Sequence, residues 1–257
     1  MYTAFAQVYD ALMADVNYPA WADFYRQMMA MFGIREGKIA ECACGTGSLT
    51  LPLYRMGFSV TGIDISADML WQAAQKARKE GAAIPFVKQD MCSFHLHRAM
   101  DAVLCTCDGV NYLTTPRQVQ DFFQASYEAL RPGGGLFFDV STPYKLENVL
   151  GDNLMGDDLE SITYLWQNHF SKKTALVDME LCIFVKQQDG LYQRIEEKQR
   201  QRAHDKAEIA DWLARAGFSG ITFYGGHSLN HPGEKELRWH VAALKRPDPR
   251  LMRELGR

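Results

Sequence analysis

Apolar positions along the chain fall into two alternating rhythms, and their order sets the fold. Near the start, Phe5, Val8, Tyr9 and Leu12 recur at helical spacing. After the cap residue Asn17, Trp21, Phe24, Tyr25, Met28 and Phe32 make a stronger stripe that ends at Gly33. Residues 39–44 then form a short apolar and cysteine-rich run, interrupted only by Glu41, the pattern of a buried parallel strand. From there helical stripes and short apolar runs alternate. A helix over 49–56 stops at Gly57, residues 58–64 read as a second strand, and Ser66 caps a helix that stops at Gly81. Residues 84–87 and 102–105 predict two more strands. Thr115 and Pro116 open the next helix, which buries Val119, Phe122, Phe123 and Leu130, and residues 136–140 predict a fifth strand.

This alternation predicts a Rossmann-like, doubly wound α/β sheet, which binds ligands outside the carboxyl ends of its strands. The rhythm changes at Gly151. Residues 151–160 are polar and predict a loop. Residues 162–170, 175–185 and 192–202 are extended runs, the last two joined by a hairpin turn at Asp189-Gly190. They predict an antiparallel β lobe inserted into the α/β unit. Asp205 and Glu208 then begin a helix that carries Ile209, Trp212 and Leu213, and residues 218–224 and 237–244 supply two final strands. The expected organisation is N-terminal helices and the first part of the Rossmann-like domain over 1–150, a lobe covering the substrate site over 151–203, the remainder of that domain over 204–246, and a tail over 247–257.

Composition narrows the class. A chain of 257 residues at 47% hydrophobic can bury one full core. Its net charge of −3 offers no field for nucleic acid, no apolar run is long enough to cross a membrane, and the start lacks a signal sequence. A cytoplasmic location is expected. Cys42 and Cys44, like Cys105 and Cys107, sit in apolar strand-like segments where a thiol acts as a small hydrophobe. No pair has C-x-x-C spacing, and His95 and His97 lack carboxylate neighbours, so no metal site is expected.

The candidate chemistry gathers at the strand ends. Gly45-Thr46-Gly47 follows the first strand, where glycines let a ligand lie against the backbone at a helix start. Acids follow the later strands: Asp64, Asp90, Asp108 and Asp139. Together with Glu41-Cys42-Ala43-Cys44-Gly45-Thr46-Gly47, Asp90-Met91 and the turn Leu130-Arg131-Pro132-Gly133-Gly134, this set resembles the class I S-adenosylmethionine (SAM) dependent methyltransferases. The stretches Phe5-Ala6-Gln7-Val8-Tyr9-Asp10 and Asp108-Gly109-Val110-Asn111-Tyr112-Leu113, with the late β lobe, look like the small-molecule branch: amino-sugar dimethyltransferases and bacterial relatives of unassigned substrate.

The resemblance implies that the last strand runs antiparallel. It implies SAM as cofactor, with backbone at Ala43, Gly45 and Gly47 receiving its methionine part and Asp64 its ribose. Asp90 would meet the adenine amino group, Met91 would pack on the ring, Ile65 and Met69 would line that pocket, and backbone near Cys107 would hold the cofactor's amino group. A sulfonium is an excellent leaving group, so the protein must mainly align the acceptor and exclude water. Candidates near the methyl group are Asp108, Asn111, Tyr112 and Asp139, with Tyr9 closing from the first helix; Tyr2, on the same N-terminal segment, could lie over the ligand. His227 and His231 are candidates to orient a substrate. The expected partner is a small-molecule methyl acceptor, and the protein is expected to be a monomer or homodimer. Three rivals remain. An NAD enzyme would want a third glycine at Thr50; an RNA or protein methyltransferase, and a SAM-binding protein without transferase activity, would share the cofactor motif.

Overall fold

Local chemistry fixes where several of the protein's helices begin. In the computed structural model, which describes residues 3–246, Asn17 accepts the Ala20 N–H at 3.1 Å to open α2 (Tyr18–Met31), and Ser66 accepts the Met69 N–H at 3.3 Å to open α4 (Ala67–Lys79). Thr115 and Gln118 form a reciprocal cap for α5 (Pro116–Ala129). Ahead of these lies α1 (Thr3–Leu12); α3 (Thr50–Arg55) is short, and α6 (Lys206–Arg215) comes late. Tyr2 and the 247–257 tail lie outside the described residues.

Seven strands form one sheet. They are β1 (Lys38–Cys42), β2 (Ser59–Asp64), β3 (Phe86–Lys88), β4 (Met100–Cys105), β5 (Leu130–Ser141), β10 (Phe218–Gly225) and β11 (Arg238–Lys245), in the order β10-β11-β5-β4-β1-β2-β3. Neighbours from β3 to β5 pair in parallel; β11 runs antiparallel between β5 and β10, with Arg238 opposite Ser141 and His240 opposite Asp139. The period of two divides the core between the faces. Phe138 packs with Val119, Phe122 and Phe123 beneath α5 and α6, while adjacent Phe137 packs with the α2 and α3 side, including Met29 and Leu53. Each such fully buried side chain contributes about 1.5–3 kcal/mol.

Between β5 and α6 a second sheet intervenes: β6 (Leu154–Asp158), β7 (Ile162–Ser171), β8 (Leu176–Lys186) and β9 (Tyr192–Arg202), antiparallel in that order. The expected loop over 151–160 thus contains a strand. Its side chains are mostly exposed, so no buried alternation marks it; backbone pairing from Leu154 with Gln167 to Asp158 with Thr163 holds it in place. The side chains of Asp157 and Asp158 also keep this edge charged, a common guard against further pairing. A π-helical turn, Lys145–Leu150, leads into this lobe. Phe5, Ala6 and Val8 of α1 pack between Met69 of α4 and Ile162, Ile183 and Ile195 of the lobe.

Candidate active site

The site begins where β1 ends. Ala43, Gly45 and Gly47 all adopt left-handed backbone, with φ of 52°, 53° and 73°. Such a conformation is uncommon for alanine and marks a turn held by its surroundings. Asp64, ending the neighbouring β2, does that holding: one carboxylate oxygen accepts the Gly45 N–H and the other the Ser66 N–H, both at 2.8 Å. Each oxygen keeps a further lone pair. Burial raises the Asp64 pKa, partly offset by these N–H donors. A Cβ on Gly45 would meet nothing within 4 Å, whereas one on Gly47 would lie 3.0 Å from the Ala73 Cβ of α4. Gly45 therefore keeps the cradle open, while Gly47 permits close helix packing.

A cavity of about 320 Å³ opens at the carboxyl edge of the central strands. Ala43 and Gly45 line it, as do Asp64, Ile65 and Met69 on one side, Asp90 and Met91 on another, and Cys107 at the end of β4. Of the nine residues assigned to the cofactor from sequence, only Gly47 lies off this wall. Tyr9 and Tyr112 also reach it. The roof is built by α1 and by β9, whose Gln199 accepts a hydrogen bond from the Tyr112 hydroxyl at 2.7 Å. Asp10 fastens α1 down: it accepts from the Thr46 hydroxyl at 2.5 Å, the Ser48 hydroxyl at 3.1 Å and the Lys76 ammonium at 2.7 Å.

Asp108, Asn111 and Asp139 are placed differently, behind the wall. Cys107 and Asp108 are consecutive left-handed residues, φ 55° and 65°. Fully buried Asp139 accepts both of their N–H groups at 2.9 Å, and also the Tyr25 hydroxyl at 2.9 Å. Arg238, from the start of β11, joins the two acids, pairing with Asp108 at 2.6 Å and with Asp139. The Ser141 hydroxyl donates to Asp108 at 2.7 Å, and the Lys145 ammonium lies 4.0 Å away. Burial alone would push the Asp108 pKa up; Arg238 and then Lys145 outweigh it and hold the carboxyl at about 2. In Asp139 burial wins and the pKa is raised. The shared guanidinium thus leaves the pair's proton affinity on Asp139. Asn111, fully buried, ties the 3-10 turn (Gly109–Tyr112) to the backbone of Ser141 and Arg202. His227 and His231 sit away from this cavity, His227 stacking edge-on against Trp21 at 4.4 Å.

Sequence reasoning gave no role to Glu41, Tyr18 or Gln199, yet all three line the cavity. Glu41 is 2% exposed, burial raises its carboxyl to about 7, and its Oε2 has no hydrogen-bond partner. Its place in the first motif was the available signal. Among the described residues, the cavity wall carries Glu41, Asp64 and Asp90 but no Lys, Arg or His. That donor set suits a cofactor bearing a sulfonium and an ammonium, with ribose hydroxyls for Asp64. A pyrophosphate would lie against an acidic wall with no side-chain cation, leaving only the backbone N–H groups of the glycine turn to balance it.

Fold and site together define a class I SAM-dependent methyltransferase, and the chain belongs to that family. Residues 39–134 match the family described as "Methyltransferase domain". A provisionally named methyltransferase of Geobacillus sp. (strain WCH70) is 34% identical over 246 residues, covering 95% of this chain and 99% of its own. The crystal structure of a SAM-dependent methyltransferase from Clostridium acetobutylicum superimposes with TM-score 0.86 at 29% identity, over 96% of this chain and 99% of that one. A SAM-bound amino pentose methyltransferase from Micromonospora echinaspora shares the fold, with TM-score 0.75 at 20% identity over 93% and 96% of the two chains.

Proposed function

We propose that the protein transfers a methyl group from SAM to a nitrogen, or an oxygen, of a small molecule. The roofed cavity carries this reading: α1, fastened by Asp10, and β9, joined to Tyr112 through Gln199, cover it, which suits a compact acceptor better than a polymer. The amino pentose specificity of one fold neighbour points the same way. When bound, the cofactor supplies an activated methyl group whose sulfur takes the bonding pair as the methyl departs.

The chain's own residues then have three tasks. Backbone at Ala43 and Gly45, with Asp64, Asp90 and Met91, hold the cofactor. Asp139, Asp108 and Arg238 fix the left-handed backbone at Cys107 and so act as positioning residues. Tyr9, Tyr18 and Tyr112 face the acceptor. Burial raises the pKa of Tyr9 and of Tyr18, so both keep their protons near neutrality and serve as hydrogen-bond donors and water-excluding walls rather than bases. Residues 154–202 select the acceptor. The test is release of S-adenosylhomocysteine (SAH) with a panel of small amines and hydroxy compounds, beside RNA and protein substrates. Turnover of a small acceptor is expected. Turnover confined to the macromolecules would refute the reading, and tight SAH binding with no turnover anywhere would favour a SAM sensor.

A further inference from the structure

Tyr25 brings a hydroxyl into the apolar face of α2. The side chain is fully buried in the cluster that holds Met28 and Met29, yet its oxygen makes two hydrogen bonds there, with Asp139 Oδ2 at 2.9 Å and with His240 Nδ1 at 3.0 Å. His240 stands opposite Asp139 in the pairing of β11 with β5 and is itself fully buried. The rings of Phe24, His227 and Trp21 lie around it, with centroids at 4.6, 5.1 and 5.9 Å. Its other nitrogen, Nε2, has no hydrogen-bond partner among the described residues.

The protons available give this row of groups a direction. Asp139 meets four donors, two on each oxygen: Tyr25 and the Cys107 N–H on Oδ2, Arg238 and the Asp108 N–H on Oδ1. Four donors match the four lone-pair sites of an ionised carboxylate. Tyr25 has one hydroxyl proton, and Asp139 receives it. The contact at 3.0 Å then needs a proton from the histidine, which sets that proton on Nδ1 and leaves Nε2 bare. Burial, then the charge of Arg238, lower the His240 pKa to about 2, so the ring is neutral and carries this one proton.

We propose that Tyr25 and His240 are positioning residues for the cofactor: His240 orients the Tyr25 hydroxyl, Tyr25 keeps Asp139 a carboxylate, and Asp139 holds the left-handed turn at Cys107 that lines the cavity. An ionised acceptor makes hydrogen bonds roughly twice as strong as a neutral one, so loss of the Tyr25 donor loosens this turn most where Asp139 takes up a proton. The proposal rests on the cofactor placement beside Cys107 given above, and it extends control of that wall to α2 and to the interior of β11. The other charged or titratable groups that face Asp139 and its partners are Asp108, Arg238, Lys145, the Cys107 thiol and His227, and all of them remain in the variants below.

The test is calorimetric titration of SAH into the native protein and its variants at several pH values, with melting temperatures measured alongside. Tyr25→Phe keeps the ring and removes the hydroxyl. SAH affinity should fall about fivefold or more near neutrality, and its decline on acidification should begin at a higher pH than in the native protein. Asparagine carries its amide nitrogen where histidine has Nδ1, and glutamine carries it near the place of Nε2. His240→Asn should therefore keep SAH affinity and its pH profile within about twofold of native, whereas His240→Gln should behave like Tyr25→Phe. Affinity that follows the melting temperature in all three, without regard to where the nitrogen lies, is the mark of a purely structural role and overturns the proposal. Nitrogen-15 spectra of histidine-labelled protein, with His240 assigned by its loss in His240→Asn, should show a neutral ring protonated on Nδ1; a ring protonated on Nε2 overturns it as well. Asp139→Asn separates the two levels. If it weakens SAH while Tyr25→Phe does not, the roles of Tyr25 and His240 are overturned and the cofactor placement stands. If neither weakens SAH, the placement beside Cys107 falls and the proposal with it.

Discussion

Replacing Arg238 by Met tests whether the cluster behind the cavity wall is what holds its geometry. The thioether keeps an apolar stem against Trp21, over whose ring the guanidinium now lies at 5.1 Å, and removes the charge together with the N–H groups it donates to Asp108 and Asp139. Asp108 and Asp139 are then left buried without their shared cation. Breaking a buried pair from one side costs about 3–5 kcal/mol. For a chain of this size each kcal/mol moves the melting temperature by about 2–4 °C, so a fall of about 6–20 °C is expected near neutral pH. The pH dependence carries the sharper signature. In the native protein Asp108 is depressed to about 2 from its ordinary 3.8, so its contribution is present above about pH 4 and is lost as the pH falls toward 2. Asp139, raised, works in the opposite sense. In Arg238→Met both carboxyls rise, and protonating them relieves the fold, so the deficit against the native protein should narrow between about pH 7.5 and about pH 5. Scanning calorimetry at both pH values reads this. A deficit below about 3 °C, or one that does not change with pH, would refute the assignment of Arg238 as the cluster's counter-charge.

Three further substitutions probe the glycine turn, its packing and its roof. Asp64→Ala removes a carboxylate that orders the glycine turn and that the proposed cofactor placement sets against ribose; at about 1.5–3 kcal/mol per charge-assisted bond, two such bonds predict that SAH affinity falls by about a hundredfold or more in calorimetric titration. Gly109→Ala would bring a Cβ to 2.6 Å from the Cys105 sulfur and 3.2 Å from the Ala43 Cβ, and the forced shift should lower stability by about 1–3 kcal/mol in denaturant titration and weaken SAH binding with it. Asp10→Ala releases α1 from the glycine turn. Because the ion pair with Lys76 is partly exposed, stability should change by less than about 1 kcal/mol, yet SAH dissociation followed by stopped flow should quicken severalfold.

The parts of the site legible in the sequence are those that local rules govern. Gly45, Asp64, Asp90 and Met91 lie within a few residues of strand ends, and the alternating rhythm places those ends on one edge. Asp108 and Asp139 look the same in sequence but were assigned to the chemistry, and the structure sets them behind the wall. Their partner, Arg238, lies 130 and 99 residues away, a separation that no periodicity reports. Gln199 was invisible for a similar reason: it reads as one more polar residue on a charged strand until β9 crosses the cavity and meets Tyr112. The strand over 154–158 escaped notice because backbone pairing, not burial, holds it.

The antiparallel course of β11 has a consequence for how the protein is made. A strand that enters the sheet from the opposite end brings its first residue, not its last, to the ligand edge, and here that residue is Arg238 beside Ser141. During synthesis the segment from β1 to β5 can emerge and begin to pair while Asp108 and Asp139 still lack their cation. The acids behind Cys107 and Asp108 therefore gain their cation only once residue 238 has left the ribosome, and a product truncated before that residue would keep the glycine turn and the Asp139 carboxylate yet lack the charge that balances both acids.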